Sequence, residues 1–219
     1  MKENKKRTEA LTLSAVMIAF AISISAICSA VPFLNLPFGG GFTIASMLPI
    51  IIVAYMYGTK WGLLTAFVYS VMQMLLGFNT VSSFFLPGDS QMVFHRAMIV
   101  CLIDYVIAYT VLGVGGIFRR KFSARKAIVL GSVLAISLRY IAHIVSGAIF
   151  FGTWAEWFFT QDGFPAWGQK ILEVFSGDAL AFVYSVIYNG TYMIPEIIIT
   201  AIVACFVTRI PQIKMRDDI

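Results

Sequence analysis

The chain has 219 residues, of which 59% are hydrophobic and only 12% are charged, and its mean hydropathy is +0.86. This composition excludes the soluble globular class and indicates a polytopic membrane protein, with one membrane domain over residues 1–219. The net charge of +5 does not indicate a nucleic-acid partner, because basic residues beside a membrane are explained by attraction to the anionic headgroups of the lipid bilayer.

Six apolar segments follow in chain order, and each approaches the length of about 20 residues that a spanning helix needs. The second and third segments are short and are separated by little more than GTK at 58–60, so a re-entrant hairpin is the alternative to two spans. The predicted fold class is an all-α polytopic membrane protein with six transmembrane helices. They cover roughly 11–31, 42–57, 61–78, 92–118, 127–152 and 179–207.

The distribution of Lys and Arg favours a topology with both termini in the cytoplasm. Thirteen of the sixteen basic residues lie in the N-terminal MKENKKR, at Lys60, in RRKFSARK at 119–126, or after the last segment. The alternate loops carry few positive charges, and the loop at 153–178 holds four acidic residues against one Lys. The positive-inside rule therefore predicts cytoplasmic N- and C-termini and a multi-pass protein of the cell membrane.

The fourth and fifth segments carry ionisable side chains at membrane depth, where such groups are costly and indicate a functional site. A rise of about 1.5 Å per residue puts Asp104 and Tyr105 near the midplane and His143 about 24 Å from the inner face. Arg139, His143 and Gly147 recur every four residues and so share one helix face. These groups predict a cavity that opens outward, whereas an internal ion pair is the alternative.

Arg139 lies one helical turn deeper than His143, and we expect either Asp104 or Glu196 to neutralise it. On the sixth segment, Glu196 is the last member of a row in which Tyr184, Tyr188 and Tyr192 also recur every four residues, beside Ser185 and Asn189. Such residues can line a ligand cavity or only join helices by hydrogen bonds.

The outer loop at 152–178 contains three of the four tryptophans, namely Trp154, Trp157 and Trp167. They indicate either an aromatic belt at the membrane interface or a lid that presents aromatic faces to a planar or cationic ligand.

Several motifs of catalysis and metal binding are absent from the sequence. The three cysteines lie within apolar segments, with no CxxC or Cys/His spacing, and there is no HExxH and no Walker motif. We therefore expect no metal, no cofactor and no ATP hydrolysis by this chain. An intramembrane enzyme using His143 with Asp104 or Glu196 is a weaker alternative, because the chain lacks a complete set of catalytic roles.

Three stretches carry a resemblance to a known family. LIDYVIAYTVLGVGGIFRRK at 102–121, RYIAHIVSGAIFF at 139–151 and AFVYSVIYNG at 181–190 resemble the thiamine-specific substrate-binding S components (ThiT) of energy-coupling factor (ECF) transporters. The resemblance covers about nine tenths of the chain. It implies a six-helix protein that captures thiamine from outside and associates with an ECF transmembrane coupling protein and two ATPase subunits.

The resemblance also implies roles for individual residues. Helix 1 of such proteins carries an Ala-xxx-Ala contact for the coupling protein, which falls on Ala15 and Ala19. The implied substrate-binding residues are Asp104, Tyr105, His143, Gly147, Phe151, Trp154, Tyr184 and Asn189.

Three positions depart from the family pattern. The acidic residue of the fourth helix is usually Glu and is Asp104 here, and Phe151 occupies the position of a stacking Trp, with Trp154 a turn later. An acidic residue near the start of the second helix is absent, since Thr43 or Ile44 stands there. Alternative ligands are therefore other flat vitamins or precursors, such as hydroxymethylpyrimidine or riboflavin. A self-sufficient facilitator fits poorly, because no internal repeat is detectable.

Overall fold

The computed structural model describes residues 2–36, 40–162, 164–213 and 215, and this described part of the chain is helical. It contains no strand, and its only β pairing is an isolated bridge between Asn35 and Gly41. Lys214 and Arg216, which the topology argument counts among the cytoplasmic residues, lie outside the described residues.

Four helical stretches are long and apolar enough to cross a membrane: Asn4–Ser29, Phe94–Gly116, Ala124–Phe150 and Gly177–Val207. They correspond to the first, fourth, fifth and sixth predicted segments. The second and third segments form the shorter helices α2 and α3. The α-helices of the described residues are α1 (Lys2–Ser29), α2 (Leu48–Tyr57), α3 (Thr59–Leu76), α4 (Phe78–Ser83), α5 (Phe94–Cys101), α6 (Ala108–Thr110), α7 (Ala124–Phe150), α8 (Ala155–Phe159), α9 (Trp167–Val174) and α10 (Gly177–Val207).

Helix α1 begins nine residues before the predicted apolar segment. Its first turns contain Lys, Glu and Arg, which are good helix formers but are invisible to a search for apolar runs.

Helix α2 lies inside the helical bundle, and all ten of its residues are buried. It packs against α1, α3, α7 and the 3₁₀ turn Val111–Gly116. Glycines allow this close approach: a Cβ on Gly116 would overlap the carbonyl of Ala54, and one on Gly113 would overlap the backbone of Gly62 and Leu63. An Arg119 side chain from the following loop caps α2, donating from Nε to the Tyr55 carbonyl at 2.8 Å.

The fourth membrane segment is not a uniform helix. It changes from α5 to a π-helical stretch at Leu102–Ile107, then to α6 and to the 3₁₀ turn Val111–Gly116. A wide π turn followed by a tight 3₁₀ turn rotates side chains away from the positions of a regular helix, and π turns are frequent at functional sites. Asp104 and Tyr105 lie within the π-helical stretch.

Helices α7 and α10 form the most extensive helix pair. The Tyr140 hydroxyl donates to the Val186 carbonyl at 2.6 Å, and the Ser185 hydroxyl donates to the Ile144 carbonyl at 2.8 Å. A Cβ on Gly147 would overlap Ser185 Oγ, so this glycine is what allows the two helices to approach at the level of His143. The pair therefore fixes the relative positions of the polar residues that both helices carry.

We expect Gly113→Ala to lower the stability of the folded protein by about 1–3 kcal/mol, the usual range for overpacking a filled interface. The added carbon meets backbone atoms of α3, which cannot rotate away. The comparison variant is Gly190→Ala, whose added carbon would meet the Tyr140 hydroxyl at 2.9 Å, the movable end of a side chain. Thermal unfolding of both variants in detergent measures the difference, and equal losses of melting temperature would contradict the packing argument.

Candidate functional site

A cavity of about 460 Å³ lies between α1, α3, the π-helical stretch, α7 and α10. Seven of the eight predicted binding residues line it, and the exception is Trp154. Side chains that sequence reasoning did not assign to a binding role also line it. The predicted members are Asp104, Tyr105, His143, Gly147, Phe151, Tyr184 and Asn189, and the additional polar and aromatic members include Ser25, Thr43, Ser46, Gln73, Asn79, Tyr109, Arg139, Tyr188 and Tyr192.

The centre of the polar wall is a hydrogen-bonded pair between Asp104 and His143. Asp104 Oδ1 lies 2.9 Å from His143 Nδ1, and Asp104 Oδ2 accepts a hydrogen bond from Ser146 Oγ at 2.8 Å. The other ring nitrogen, His143 Nε2, is buried and has no hydrogen-bond partner among the described residues. With a proton on Nδ1, a neutral imidazole presents Nε2 as an acceptor, which a ligand N–H or O–H can use.

Asn189 joins the two long helices at the same level. Its Nδ2 donates to the Ser185 carbonyl at 2.8 Å and to the His143 carbonyl at 3.3 Å, while its Oδ1 accepts from the Tyr192 hydroxyl at 2.5 Å. The amide therefore holds the backbone of α7 beside the His143 side chain and orients Tyr192 at the cavity wall.

Tyrosine rings form the opposite wall. Tyr184 and Tyr188 stack with centroids 5.6 Å apart, and Tyr188 meets Tyr192 edge to face at 6.2 Å. Phe158 of the outer loop packs on Tyr184 and Tyr188 with centroids 5.4 and 5.7 Å away. The loop thus packs a phenylalanine against two of these tyrosines, and the row Tyr184, Tyr188, Tyr192 lies on one face of α10 as its spacing predicts.

A second buried network borders the cavity on the side of α1 and α3. The Gln73 amide donates to Ser25 Oγ at 2.8 Å and to the Tyr69 hydroxyl. Tyr69 packs edge to face on Tyr109 at 5.5 Å. Sequence analysis did not identify Gln73 or Ser25 as cavity residues. Their position as polar side chains within apolar segments was the feature that could have indicated them.

Arg139 is buried, with 8% of its surface exposed, and it also lines the cavity. Its guanidinium donates to the Tyr109 hydroxyl at 3.0 Å and to Met47 Sδ at 3.1 Å, and it lies 4.3 Å from the centre of the Tyr109 ring. Among the described residues neither Asp104 nor Glu196 forms a direct ion pair with Arg139, and Glu196 acts on the guanidinium only as a nearby charge. Both carboxylates already have other hydrogen-bond partners.

Glu196 is 1% exposed and bonds to the segment that precedes α2. Its Oε2 accepts from the Thr43 backbone N–H at 2.6 Å and from the Thr43 hydroxyl at 3.0 Å, and the Thr200 hydroxyl lies 3.4 Å from its Oε1. Thr43 stands where the family pattern has an acidic residue. In this chain a carboxylate reaches that place from α10.

The outer loop borders a second cavity of about 950 Å³, and Trp154 lines this one. Phe84 and Phe151 line both cavities, and their rings lie 6.0 Å apart. Trp154 meets Trp157 edge to face at 6.1 Å, whereas Trp167 packs on Phe164 at 5.0 Å. Of the three loop tryptophans, Trp154 is the one that lines this second cavity, and Phe151, which directly precedes the loop, lines both cavities.

No group of three or more His, Cys, Asp or Glu side chains suited to a metal ion occurs among the described residues. The arrangement at the main cavity is one carboxylate paired with an imidazole, a separate guanidinium, and an aromatic wall. It can bind a flat ligand through hydrogen bonds and ring contacts.

Comparison with known proteins identifies similar chains. The sequence profile of the thiamine transporter protein family (Thia_YuaJ) matches residues 15–167. The chain is 29% identical over 228 residues to the thiamine transporter ThiT of Bacillus subtilis (strain 168), covering 100% of this chain and 99% of that protein. Its structure is similar to the solved structure of ThiT from Listeria monocytogenes, with a TM-score of 0.62 and 19% identity over 96% of this chain and 100% of the other.

Removal of the Glu196 carboxylate should detach the segment around Thr43 from α10. We expect Glu196→Ala to lower stability by about 1–3 kcal/mol, because the partly buried Thr43 N–H loses its acceptor and the Thr43 hydroxyl keeps only Ser46 as a partner. Glu196→Gln keeps one acceptor oxygen and should lose less. Melting temperature and amide hydrogen exchange at residues 43–47 measure the effect, and unchanged exchange in Glu196→Ala would contradict it.

Proposed function

The chain belongs to the thiamine transporter protein family, and we propose that it is the thiamine-binding S component of an energy-coupling factor importer. The observation that carries this proposal is the cavity that both the Asp104–His143 pair and the stacked Tyr184 and Tyr188 rings line. The family assignment makes the chain a transport protein and not an intramembrane enzyme.

The chemistry of thiamine matches the two walls of this cavity. Its aminopyrimidine presents hydrogen-bond donors and acceptors in one plane, and the free Nε2 of His143 and the hydroxyl of Tyr105 supply complementary partners. Its thiazolium is a flat cation, which aromatic faces and a nearby carboxylate stabilise. Tyr184, Tyr188 and Asp104 provide these groups.

We propose six membrane spans, with both termini in the cytoplasm and one membrane domain over 1–219 in the cell membrane. Four helices have the length and apolarity of spans, and α2 and α3 would form the other two. Helix α2 is short, but it is buried within the protein on all sides, so lipid does not set the length it needs.

The proposed contact with the ECF transmembrane coupling protein lies on α1. Ala15 and Ala19 are exposed and lie one turn apart, and small residues at this spacing allow two helices to approach closely. Two ATPase subunits would supply the energy, because no Walker motif occurs in this chain. Another flat vitamin or precursor, such as hydroxymethylpyrimidine or riboflavin, is the alternative ligand.

We expect the purified protein to bind thiamine without ATP or metal, and His143→Ala to weaken this binding by about 1–3 kcal/mol, roughly 5- to 150-fold in Kd. The variant loses the acceptor at Nε2 and one partner of Asp104. Isothermal titration calorimetry in detergent measures Kd, with tryptophan emission as a second readout.

The matched control for this test is Tyr140→Phe. It removes a hydrogen bond from the same helix at a hydroxyl that bonds to the Val186 carbonyl, outside the cavity. We expect the control to lower the melting temperature without changing Kd. Binding of riboflavin or hydroxymethylpyrimidine in place of thiamine would assign the alternative ligand, and parent-like affinity of His143→Ala would remove His143 from the site.

A large side chain on the exposed face of α1 should uncouple binding from transport. We expect Ala15→Trp and Ala19→Trp to abolish thiamine uptake in cells and to keep the parent Kd in detergent, because the indole blocks helix approach and does not reach the cavity. Phe20→Trp is the control, since Phe20 is exposed on the same helix and is already large. Loss of thiamine binding by the solubilised Ala15→Trp protein would disprove the assignment.

A further inference from the structure

The second cavity, of about 950 Å³, adjoins the main cavity, and the proposed function does not use it. The two cavities share four lining residues, which are Asn79, Thr80, Phe84 and Phe151. The rings of Phe84 and Phe151 lie 6.0 Å apart at this boundary. The second cavity is therefore placed as a chamber from which a ligand can pass into the main one.

The second cavity carries an excess of negative charge. Among the described residues, the guanidinium of Arg96 lines it together with three carboxylates, those of Asp89, Glu156 and Asp178. Within the described part of the chain, none of these carboxylates forms an ion pair. Arg96 is bound to the wall, because its Nη2 donates to the Ile149 carbonyl at 3.3 Å and its guanidinium lies 5.6 Å from the centre of the Phe150 ring. Three negative charges against one positive charge favour a cationic ligand.

Aromatic side chains complete the wall, so the acidic residues are not the only feature of this cavity. Trp154 lines it and is half-buried, and Phe84, Phe150 and Phe151 line it as well. The face of an aromatic ring attracts a cation, and tryptophan is the strongest partner of this kind. The three carboxylates are exposed and therefore add little affinity, but such charges raise the local concentration of a cation and speed its arrival.

We propose that the second cavity is a transit site for flat organic cations on their way to the main cavity. The carboxylates concentrate the cation, the aromatic wall holds it weakly, and the boundary at Phe84 and Phe151 leads on to the main cavity. The transit site rests on the proposed function in one respect, which is that thiamine, a thiazolium, is the cation transported. Because entry and exit cross the same barrier, a transit site raises the association and dissociation rates together and leaves Kd nearly unchanged.

The first test does not depend on thiamine. It measures quenching of tryptophan emission by the N-methylnicotinamide cation, which is flat and aromatic, and by neutral acrylamide, using the full-length protein in a nonionic detergent. Adding Trp154→Phe to each protein isolates the contribution of Trp154. In the triple variant of Asp89→Asn, Glu156→Gln and Asp178→Asn, we expect the cation to quench Trp154 about 2- to 8-fold less, roughly twofold for each charge about 10 Å away in water. Quenching by acrylamide should not change, and about 1 M salt should abolish the difference for the cation.

The second test follows thiamine association by stopped-flow measurement of tryptophan emission. At low ionic strength we expect the triple variant to lower kon by about 2- to 8-fold and koff by a similar factor, so that Kd stays within about twofold of the parent value. Loss of a group that contacts the bound ligand gives a different pattern, since it mainly raises koff and Kd.

Glu173→Gln is the matched control. Glu173 is exposed on α9 in the same loop and lines neither cavity, so the variant removes one negative charge without touching the chamber. We expect it to leave cation quenching and both rates unchanged. Arg96→Gln removes the opposing charge and should raise cation quenching and kon, whereas damage to the fold would lower kon.

The possible failures are distinguishable. Cation quenching of Trp154 that responds neither to the triple variant nor to salt overturns the transit site. Quenching that responds to both, in a folded parent that does not bind thiamine, overturns the proposed function and supports the cation site. A triple variant with a higher thiamine Kd and an unchanged kon overturns the transit role, because the carboxylates would then act on the bound state. If the triple variant does not fold, the three single variants carry the same comparisons at about twofold each.

Discussion

The hydrogen bond between Asp104 and His143 is the interaction on which the rest of the site depends. A carboxylate at membrane depth needs partners, since the surrounding lipid and apolar side chains cannot solvate it. The pair supplies them across two helices, with Ser146 as the third member. Its geometry requires the π-helical stretch that carries Asp104 and the close contact of α7 with α10 at Gly147. The backbone irregularities of the fold therefore lie where the ligand-binding groups must meet.

Two residues that line the cavity each carry an unsatisfied polar atom. His143 Nε2 and Arg139 Nε are both buried without a partner among the described residues. In a structural role these atoms would only destabilise the fold, because an unpaired buried group carries the full cost of its desolvation. A ligand that pairs with them recovers this free energy on binding. Polar groups that the fold buries without a partner thus lower the stability of the free protein and raise its affinity for a ligand that pairs with them.

The sequence was sufficient to predict an all-helical membrane protein and several residues of the cavity wall. The apolar segments located the long helices. The depth estimates placed His143 above the level of Asp104, whereas the structure pairs the two side chains. The recurrence of tyrosines at every fourth residue predicted one face of α10. These features depend on periodicity and length, which a single sequence displays directly.

Side-chain partners across helices were less predictable, and Arg139 and Glu196 show why. Opposite charges at similar depth suggested an ion pair, but the segment before α2 brings the Thr43 N–H and hydroxyl to Glu196 instead. Hydrogen bonds from the Thr43 backbone N–H and hydroxyl satisfy this carboxylate, so Glu196 is a nearby charge for Arg139 and not its ion-pair partner, and the guanidinium bonds to Tyr109 instead. The path of the non-helical segment before α2 determines which donors reach Glu196, and the spacing of residues in the sequence does not predict that path. Glu196 on α10 holds the segment that contributes Thr43 to the cavity wall. Helix α10 therefore supplies the tyrosines of the wall and also fixes the position of Thr43.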